Sequence, residues 1–202
     1  LIGSGSKDNP REVARIDAGD ARVKIHERKA LYHCLREAMP DIDKVNIEGA
    51  CVAGSRLRLL QRGAGGEASA MIELPLEVLE GAEPQVLDLH WFVLGALDGV
   101  ALAFTDAACV EGGTMFTATA EFAKDAVADG PVAGSAIGLL AETPGSWTAR
   151  WARIVEADGS PTARKVEGLV ADEDLRGAWV LTDPDDPLRP AELCRVELSG
   201  YA

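Results

Sequence analysis

The chain has 202 residues, of which 47% are hydrophobic and 26% charged, and its net charge is −13. This composition predicts a folded globular protein and argues against a disordered or fibrous one. The negative charge argues against binding to nucleic acid, because contacts with phosphates need a dense positive surface.

The N-terminal region predicts three strands and a helix. The strands are expected at residues 1–4, 11–17 and 22–27, and the helix at 29–39, before Pro40. Compared with the later units, these strands are the second to fourth of a four-stranded unit whose first strand is absent. Because the chain starts at Leu1 without a charged leader, we expect a trimmed or partial product. A cytoplasmic location is favoured, and secretion stays open as an alternative.

The next region predicts one complete antiparallel unit that begins at Glu48. Its residues alternate between apolar and polar types in short runs that are separated by glycine-containing turns. A short helix at 76–80 is expected to connect two of the strands. The four strands are predicted at residues 50–52, 56–61, 69–74 and 85–92.

Two further regions repeat this order of strands. Asp106 and Glu167 begin them, in the same apolar frame as Glu48; 58 residues separate the first acid from the second, and 61 the second from the third. Such a period indicates duplicated structural units. The last unit lacks a fourth strand. The strands in these regions are predicted at residues 114–119, 135–140, 147–155, 178–182 and 192–198.

Repeated four-stranded units are typical of a β-propeller, whose blades stack around an axis. We therefore predict an all-β fold with about three and a half four-stranded antiparallel blades in a single domain, residues 1–202. This is an incomplete arc of a larger ring of five or six blades, closed by further N-terminal blades or by pairing with another chain. The predicted parts are a partial blade 1–28, a helical connection 29–40, blades 46–93 and 104–155, and a partial blade 165–202.

The repeated acids are expected to lie around the mouth of the central channel. Glu48, Asp106 and Glu167 would share that face with Gln61 and Arg62 and with the loops 121–129 and 183–186. Crowded carboxylates either rise in pKa or bind a cation, and oxygen ligands of this kind suit Ca²⁺ or Mg²⁺. The alternative is structural, with each acid accepting backbone N–H groups where its strand begins. Arg62 would either orient an anionic group of a ligand or pair with a neighbouring acid.

Other features narrow the possible chemistry. The four cysteines lie singly, without the spacing of a zinc site, and are predicted to be reduced, buried thiols. The most apolar stretch, residues 91–104, contains Asp98 and two glycines. It falls short of the roughly 20 apolar residues that a membrane-spanning helix needs.

Several segments resemble an uncharacterised bacterial β-propeller family built on a domain of unknown function, and the resemblance covers nearly the whole chain. It implies further N-terminal blade sequence, including a strand before Leu1. A more distant similarity relates Glu48-Gly49 and Glu167-Gly168 to the esterase-like phytase and calcium-dependent apyrase propellers, which hold Ca²⁺ near the axis; Asp106-Ala107 departs from that pattern. The segments that carry the main resemblance are 1–6, 46–50, 59–63, 104–108, 128–132 and 165–168.

Three functions are compatible with these features. The first is binding, without turnover, of a small ligand or divalent cation by Glu48, Asp106, Glu167, Gln61 and Arg62. The second is a calcium-dependent phosphoesterase, in which the three acids hold Ca²⁺ that activates water and Arg62 steadies the phosphate. The third is a purely structural or protein-interaction scaffold.

Overall fold

The structure is a computed structural model that describes residues 1–6, 12–63, 68–122 and 130–199. Its strands form four antiparallel sheets, in which each strand pairs with its neighbour in the sequence. This confirms the predicted all-β class. The first sheet contains β1 (Glu12–Ile16) and β2 (Val23–Glu27), and the second contains β3 (Ile47–Ala53), β4 (Arg56–Gln61), β5 (Ser69–Pro75) and β6 (Asp88–Phe92).

The third and fourth sheets follow in chain order. The predicted strands of both regions are present, and the short strand β7 was not expected. The third sheet contains β7 (Ala96–Leu97), β8 (Val100–Val110), β9 (Gly113–Glu121), β10 (Val132–Thr143) and β11 (Ser146–Arg153), and the fourth contains β12 (Val166–Ala171), β13 (Gly177–Thr182) and β14 (Leu193–Glu197).

Two short helical segments connect strands, where the sequence predicted them. Helix α1 spans Lys29–Ala38, and a 3₁₀ helix spans Leu76–Glu80. Leu31 and Leu35 recur at helical spacing and are buried, so α1 packs its apolar face on the second sheet. In the described part of the chain, no helix has the length and apolarity needed to cross a membrane.

Buried side chains fill the spaces between successive sheets. Phe92, Phe104 and Phe116 pack between the second and third sheets, and the last two rings meet edge to face with centroids 5.0 Å apart. Met115 and Val166 belong to the cluster between the third and fourth sheets. Each of these sheets therefore depends on its neighbours to bury its faces.

The strands β3, β8 and β12, which we call the inner strands, pack against one another in that order. The contact between β3 and β8 is close, because a Cβ atom added to Gly49 would lie 2.9 Å from the backbone nitrogen of Ala107. A larger residue would push the two strands apart. This contact explains why the frame has glycine after Glu48.

A β-bulge interrupts each inner strand, at the second residue of β3 and of β12 and in the middle of β8. The register shifts place Glu48, Thr105 and Glu167 at the bulges. The middle acid, Asp106, is therefore equivalent to Gly49 and not to Glu48. The predicted equivalence of the three acids is wrong by one residue in the third sheet, because the bulge in β8 falls one position earlier than the sequence frame indicates.

Two of the four cysteines form a disulfide. Cys51 on β3 and Cys109 on β8 are bonded, with Cα atoms 5.5 Å apart. The prediction of reduced thiols is wrong for this pair, because the packing of β3 on β8 brings together two cysteines of similar position in their units. Cys34 and Cys194 are free thiols.

We predict that Cys51→Ser lowers the free energy of unfolding by about 2–4 kcal/mol, since the disulfide closes a loop of 58 residues in the unfolded chain. Urea denaturation of the oxidised proteins measures the difference. Cys34→Ser is the matched control and should unfold like the unmodified chain. Equal stability of the unmodified chain with and without dithiothreitol would contradict the prediction.

Candidate functional site

Six charged side chains meet where the inner strands β3 and β12 begin. They include four carboxylates and two cations, and we call them the charged cluster. Contacts and electrostatic interactions link them across the second, third and fourth sheets. The members of the charged cluster are Glu48, Arg62, Glu121, Lys165, Glu167 and Asp185.

Arg62 and Glu121 form the first ion pair of the charged cluster. Nη2 of Arg62 lies 2.7 Å from Oε2 of Glu121, whose side chain is only 3% exposed. The backbone N–H of Gly130 donates to the other carboxylate oxygen at 2.8 Å. Burial alone would raise the pKa of Glu121, but these donors and Lys165 hold that pKa below its usual value. Arg62 therefore pairs with an acid, the second of the two predicted roles.

Lys165 supplies the second cation, which sequence reasoning missed. Its Nζ lies 2.9 Å from Asp185, 3.5 Å from Oε1 of Glu167 and 3.6 Å from Glu121. The side chain is 8% exposed, and burial alone would lower its pKa. The surrounding carboxylates outweigh that effect and hold the pKa of Lys165 above its usual value. The signal in the sequence that could have revealed Lys165 was its position two residues before Glu167.

Glu48 and Glu167 are the least compensated acids of the charged cluster. Burial raises the pKa of Glu48, against the opposing effect of Arg62. Burial and then repulsion from Glu48 raise the pKa of Glu167 to about 7, although Lys165 and Arg62 oppose the shift. Among the described residues, the buried Oε1 atom of Glu167 has no hydrogen-bond partner within normal distance. A donor group brought to this oxygen would satisfy it.

Buried side chains fix the backbone on both sides of the charged cluster. Gln61 accepts the N–H of Asn46 at 2.7 Å and donates to the carbonyls of Lys44 and Arg62. This holds the entry to β3 against the end of β4. Gln61 was expected to contact a ligand, but its amide is occupied by these backbone contacts.

Hydroxyl groups fix the entry to β12 in a similar way. Ser135 donates to the carbonyl of Arg164 at 2.8 Å and accepts the N–H of Val166 at 3.2 Å. Thr119 donates to the carbonyl of Val166. The third sheet therefore determines where Lys165 and Glu167 project.

Asp106 occupies a different environment from the other two repeated acids. Its Oδ1 accepts the N–H of Ala107 at 2.8 Å, and its Oδ2 accepts the N–H of Leu169 on β12 at 2.7 Å. Burial raises its pKa, and the two N–H groups oppose that shift. Its contacts are those expected of a structural acid. The structure thus brings Glu48, Glu167 and Arg62 together and gives Asp106 a role in joining β8 to β12.

The predicted metal ligands do not converge on one point. Within the described ranges, no group of three or more His, Cys, Asp or Glu side chains is arranged to hold a metal ion. Asp185, from the predicted loop 183–186, does reach the charged cluster through Lys165. Residues 123–129 of the other predicted acidic loop lie outside the described residues.

A cavity of about 870 Å³ lies beside the charged cluster, between β3 and the N-terminal residues. Most of its wall is apolar and includes Ile2, Val13 and Ile47, while Glu48 and Asp106 also line it. Glu48 therefore stands between the charged cluster and an apolar space.

Comparison with known proteins identifies one family. The model of a family of unknown function (DUF6929) matches residues 1–198. No curated protein and no solved structure matches the chain. The expected resemblance to a family of unknown function is thereby confirmed, and the similarity to phytase and apyrase propellers gains no support.

We predict that Asp106→Ala lowers the free energy of unfolding by about 1–3 kcal/mol, because two backbone N–H groups lose their acceptor. Asp106→Asn keeps one acceptor oxygen, so its free energy of unfolding should fall by less. Urea denaturation of the unmodified chain and the two variants measures the three free energies of unfolding. Unchanged stability of Asp106→Ala would show that Asp106 does not join the strands.

A second prediction concerns pH and Glu167. Its folded-state pKa of about 7 exceeds the ordinary value of 4.5, so its contribution to stability is fully present below pH 4.5 and is lost as the pH rises through 7. Glu167→Gln should therefore raise the free energy of unfolding at pH 8 by roughly 1 kcal/mol or more, and change it little at pH 4.5.

Urea denaturation at the two pH values measures this difference. Asp98→Asn is the control with the opposite sign, because the hydrogen bond from Arg153 lowers the pKa of that exposed carboxyl group. Removal of this carboxylate by Asp98→Asn should not raise the free energy of unfolding at pH 8. The same change in stability for Glu167→Gln at both pH values would contradict the assigned pKa.

Proposed function

The chain belongs to this family of unknown function over residues 1–198, and we propose that it is an arc of β-propeller blades that binds a small ligand at the charged cluster. The propeller proposal is supported by sheets that follow one another in chain order and by the side-by-side packing of β3, β8 and β12. Antiparallel sheets that share their cores with both neighbours are what stacked blades require.

The Oε1 atom of Glu167 carries the ligand proposal: among the described residues no hydrogen bond reaches it, and Lys165 pairs with it only at an Nζ–Oε1 distance of 3.5 Å. A buried acceptor without a donor is unfavourable by about 1–3 kcal/mol, and by more when it is charged. Glu48 lies near enough to raise the pKa of Glu167 further. A ligand with an ammonium group or with two adjacent hydroxyl groups would donate to both carboxylates and relieve this repulsion.

Repulsion between Glu48 and Glu167 also supports a second candidate, a divalent cation. Ca²⁺ prefers carboxylate oxygens, but in the described part of the chain no third acid is arranged with these two as a ligand. Lys165 opposes this candidate, because its ammonium group lies 3.5 Å from Glu167 and 2.9 Å from Asp185. A cation would have to displace that ammonium group or share the carboxylates with it.

The calcium-dependent phosphoesterase has less support than either binding function. Its mechanism requires Arg62 to bind a phosphate, whereas Nη2 of Arg62 forms an ion pair with Oε2 of the buried Glu121 at 2.7 Å. It also asks Asp106 to hold Ca²⁺, whereas both oxygens of Asp106 accept backbone N–H groups. The purely structural scaffold does not explain why Oε1 of Glu167 is buried without a hydrogen bond from the described residues.

We predict that simple amines or polyols stabilise the protein through Glu167. Thermal unfolding is followed with ethanolamine, putrescine, glycerol and inositol, and binding of a ligand at 100 times its Kd adds about 2.7 kcal/mol. At least one compound should raise the Tm, and Glu167→Gln should abolish that rise. Asp98→Asn, which removes an exposed carboxylate away from the charged cluster, should keep it.

Calorimetric titration with CaCl₂ distinguishes the second candidate. Heat that disappears in both Glu48→Gln and Glu167→Gln would assign the site to a divalent cation, and hydrolysis of p-nitrophenyl phosphate in the same buffer would then test for catalysis. If none of these compounds binds, or if binding is unchanged in Glu167→Gln, the ligand proposal is wrong.

A further inference from the structure

The charged cluster contains more acids than bases. Its four carboxylates face two cations, so the described part of the site has an excess of two negative charges when every member is ionised. Arg62 is paired with Glu121 at 2.7 Å, and Lys165 donates a hydrogen bond to Asp185 at 2.9 Å. A partly buried excess of negative charge is unfavourable, and either a proton or a cation from solution relieves it.

Glu167 is the member of the charged cluster at which a proton and a ligand can replace each other. Its Oε1 atom is buried and receives no hydrogen bond from the described residues, although Nζ of Lys165 lies 3.5 Å away. The side chain as a whole is 24% exposed. The carboxyl group is therefore open to exchange with solvent through its exposed part, and a proton neutralises the charge that its two oxygens share.

Charged groups of several elements act on Glu167. Burial is the largest effect, and together with repulsion from Glu48 it raises the pKa of Glu167 to about 7, against the opposing effects of Lys165 and Arg62. About half of the molecules therefore carry this proton at pH 7. The contributing groups are Glu48 on β3, Arg62 after β4, Lys165 before β12, and Glu121 on β9 and Asp185 after β13, which both pair with Lys165.

The inner strand β8 adds a further acid near β12, but that acid is already satisfied. Both oxygens of Asp106 accept backbone N–H groups, one of them from Leu169 on β12. The exchangeable proton of the site is therefore assigned to Glu167.

We infer that the charged cluster binds a primary amine in exchange for the proton of Glu167. This inference rests on the ligand site proposed above and narrows its ligand from amines and polyols to amines. The ammonium group donates N–H groups to Glu48 and Glu167, the O–H bond of Glu167 breaks, and the proton passes to water. One positive charge enters the site and one leaves it, so the charges balance.

The chemistry of the site favours an ammonium group over other ligands. An ammonium group brings both a positive charge and several N–H donors, which two carboxylates can share. A polyol donates hydrogen bonds but leaves the excess of negative charge and the proton in place. A quaternary ammonium ion brings the charge but has no N–H group for Oε1 of Glu167.

Three small molecules of similar structure test the inference by calorimetry. Ethanolamine is the amine, ethylene glycol replaces its ammonium group by a hydroxyl group, and choline replaces the N–H hydrogens by methyl groups. Titrations in buffers that contain no primary amine and differ in ionisation enthalpy give the number of protons released. Ethanolamine should release close to one proton per molecule bound at pH 6 and close to none at pH 8.

The affinity should change with pH in the same sense. Because the free protein carries the proton of Glu167 at pH 6 and has mostly lost it at pH 8, ethanolamine should bind about tenfold more weakly at pH 6 than at pH 8. Ethylene glycol and choline should bind at least tenfold more weakly than ethanolamine at pH 8.

Two variants locate the proton. Glu167→Gln has no exchangeable proton at this position and should lose both the binding of ethanolamine and the release of a proton. Asp98→Asn is the matched control, because it removes an exposed carboxylate outside the charged cluster, and it should keep both. Glu48→Gln removes the repulsion from Glu167, so each ethanolamine that binds at pH 6 should release a smaller fraction of a proton.

The outcomes separate this inference from the ligand site on which it rests. If ethanolamine binds through Glu167 with the same affinity at both pH values and without proton release, the exchange is wrong and the ligand site stands. Ethylene glycol binding as tightly as ethanolamine would also overturn the inference alone. If ethanolamine does not bind, or binds equally to Glu167→Gln, the inference is overturned, and binding of a polyol through Glu167 then decides whether the ligand site stands.

Discussion

The close packing of the inner strands is the constraint on which the rest of the structure depends. Gly49 lets β3 approach the backbone of β8, and Asp106 then bonds β8 to the N–H of Leu169 on β12. Both contacts act between strands that belong to different sheets. Because the second, third and fourth sheets share their buried faces, this row of three strands sets how those sheets pack on one another.

The charged cluster is a consequence of that row. The bulges rotate Glu48 and Glu167 away from their own sheets at the ends where the inner strands begin. Gln61 and Ser135 secure the backbone next to each bulge, so buried hydrogen bonds hold the backbone positions from which the two carboxylates project. Repulsion therefore persists between them, and the raised pKa of Glu167 reflects it. Lys165 and Arg62 compensate only part of the charge.

Most strand positions could be predicted from the sequence, but the pairing register between the strands could not. Alternation and glycine-rich turns are local signals, so the strands predicted for the second, third and fourth sheets are present, with β7 as an unpredicted addition. The strand predicted at residues 1–4 is reduced to a single bridge between Ile2 and Val13. A bulge depends on the partner strand, and the frame around Asp106 therefore misplaced its equivalence by one residue. The same limitation hid the roles of Lys165 and Glu121, whose neighbours come from other sheets. The equal spacing of Cys51 and Cys109 from their acids was the one visible sign of their contact.

The bond between Cys51 and Cys109 has a consequence for the integrity of the chain. It encloses β4 to β7 and the exposed turn at Gly81 to Glu83. A protease that nicks the backbone anywhere inside this interval leaves two fragments that are still covalently tied through the inner strands. The molecule can therefore survive such a cut with its first and fourth sheets still attached to one another, until a reductant releases them.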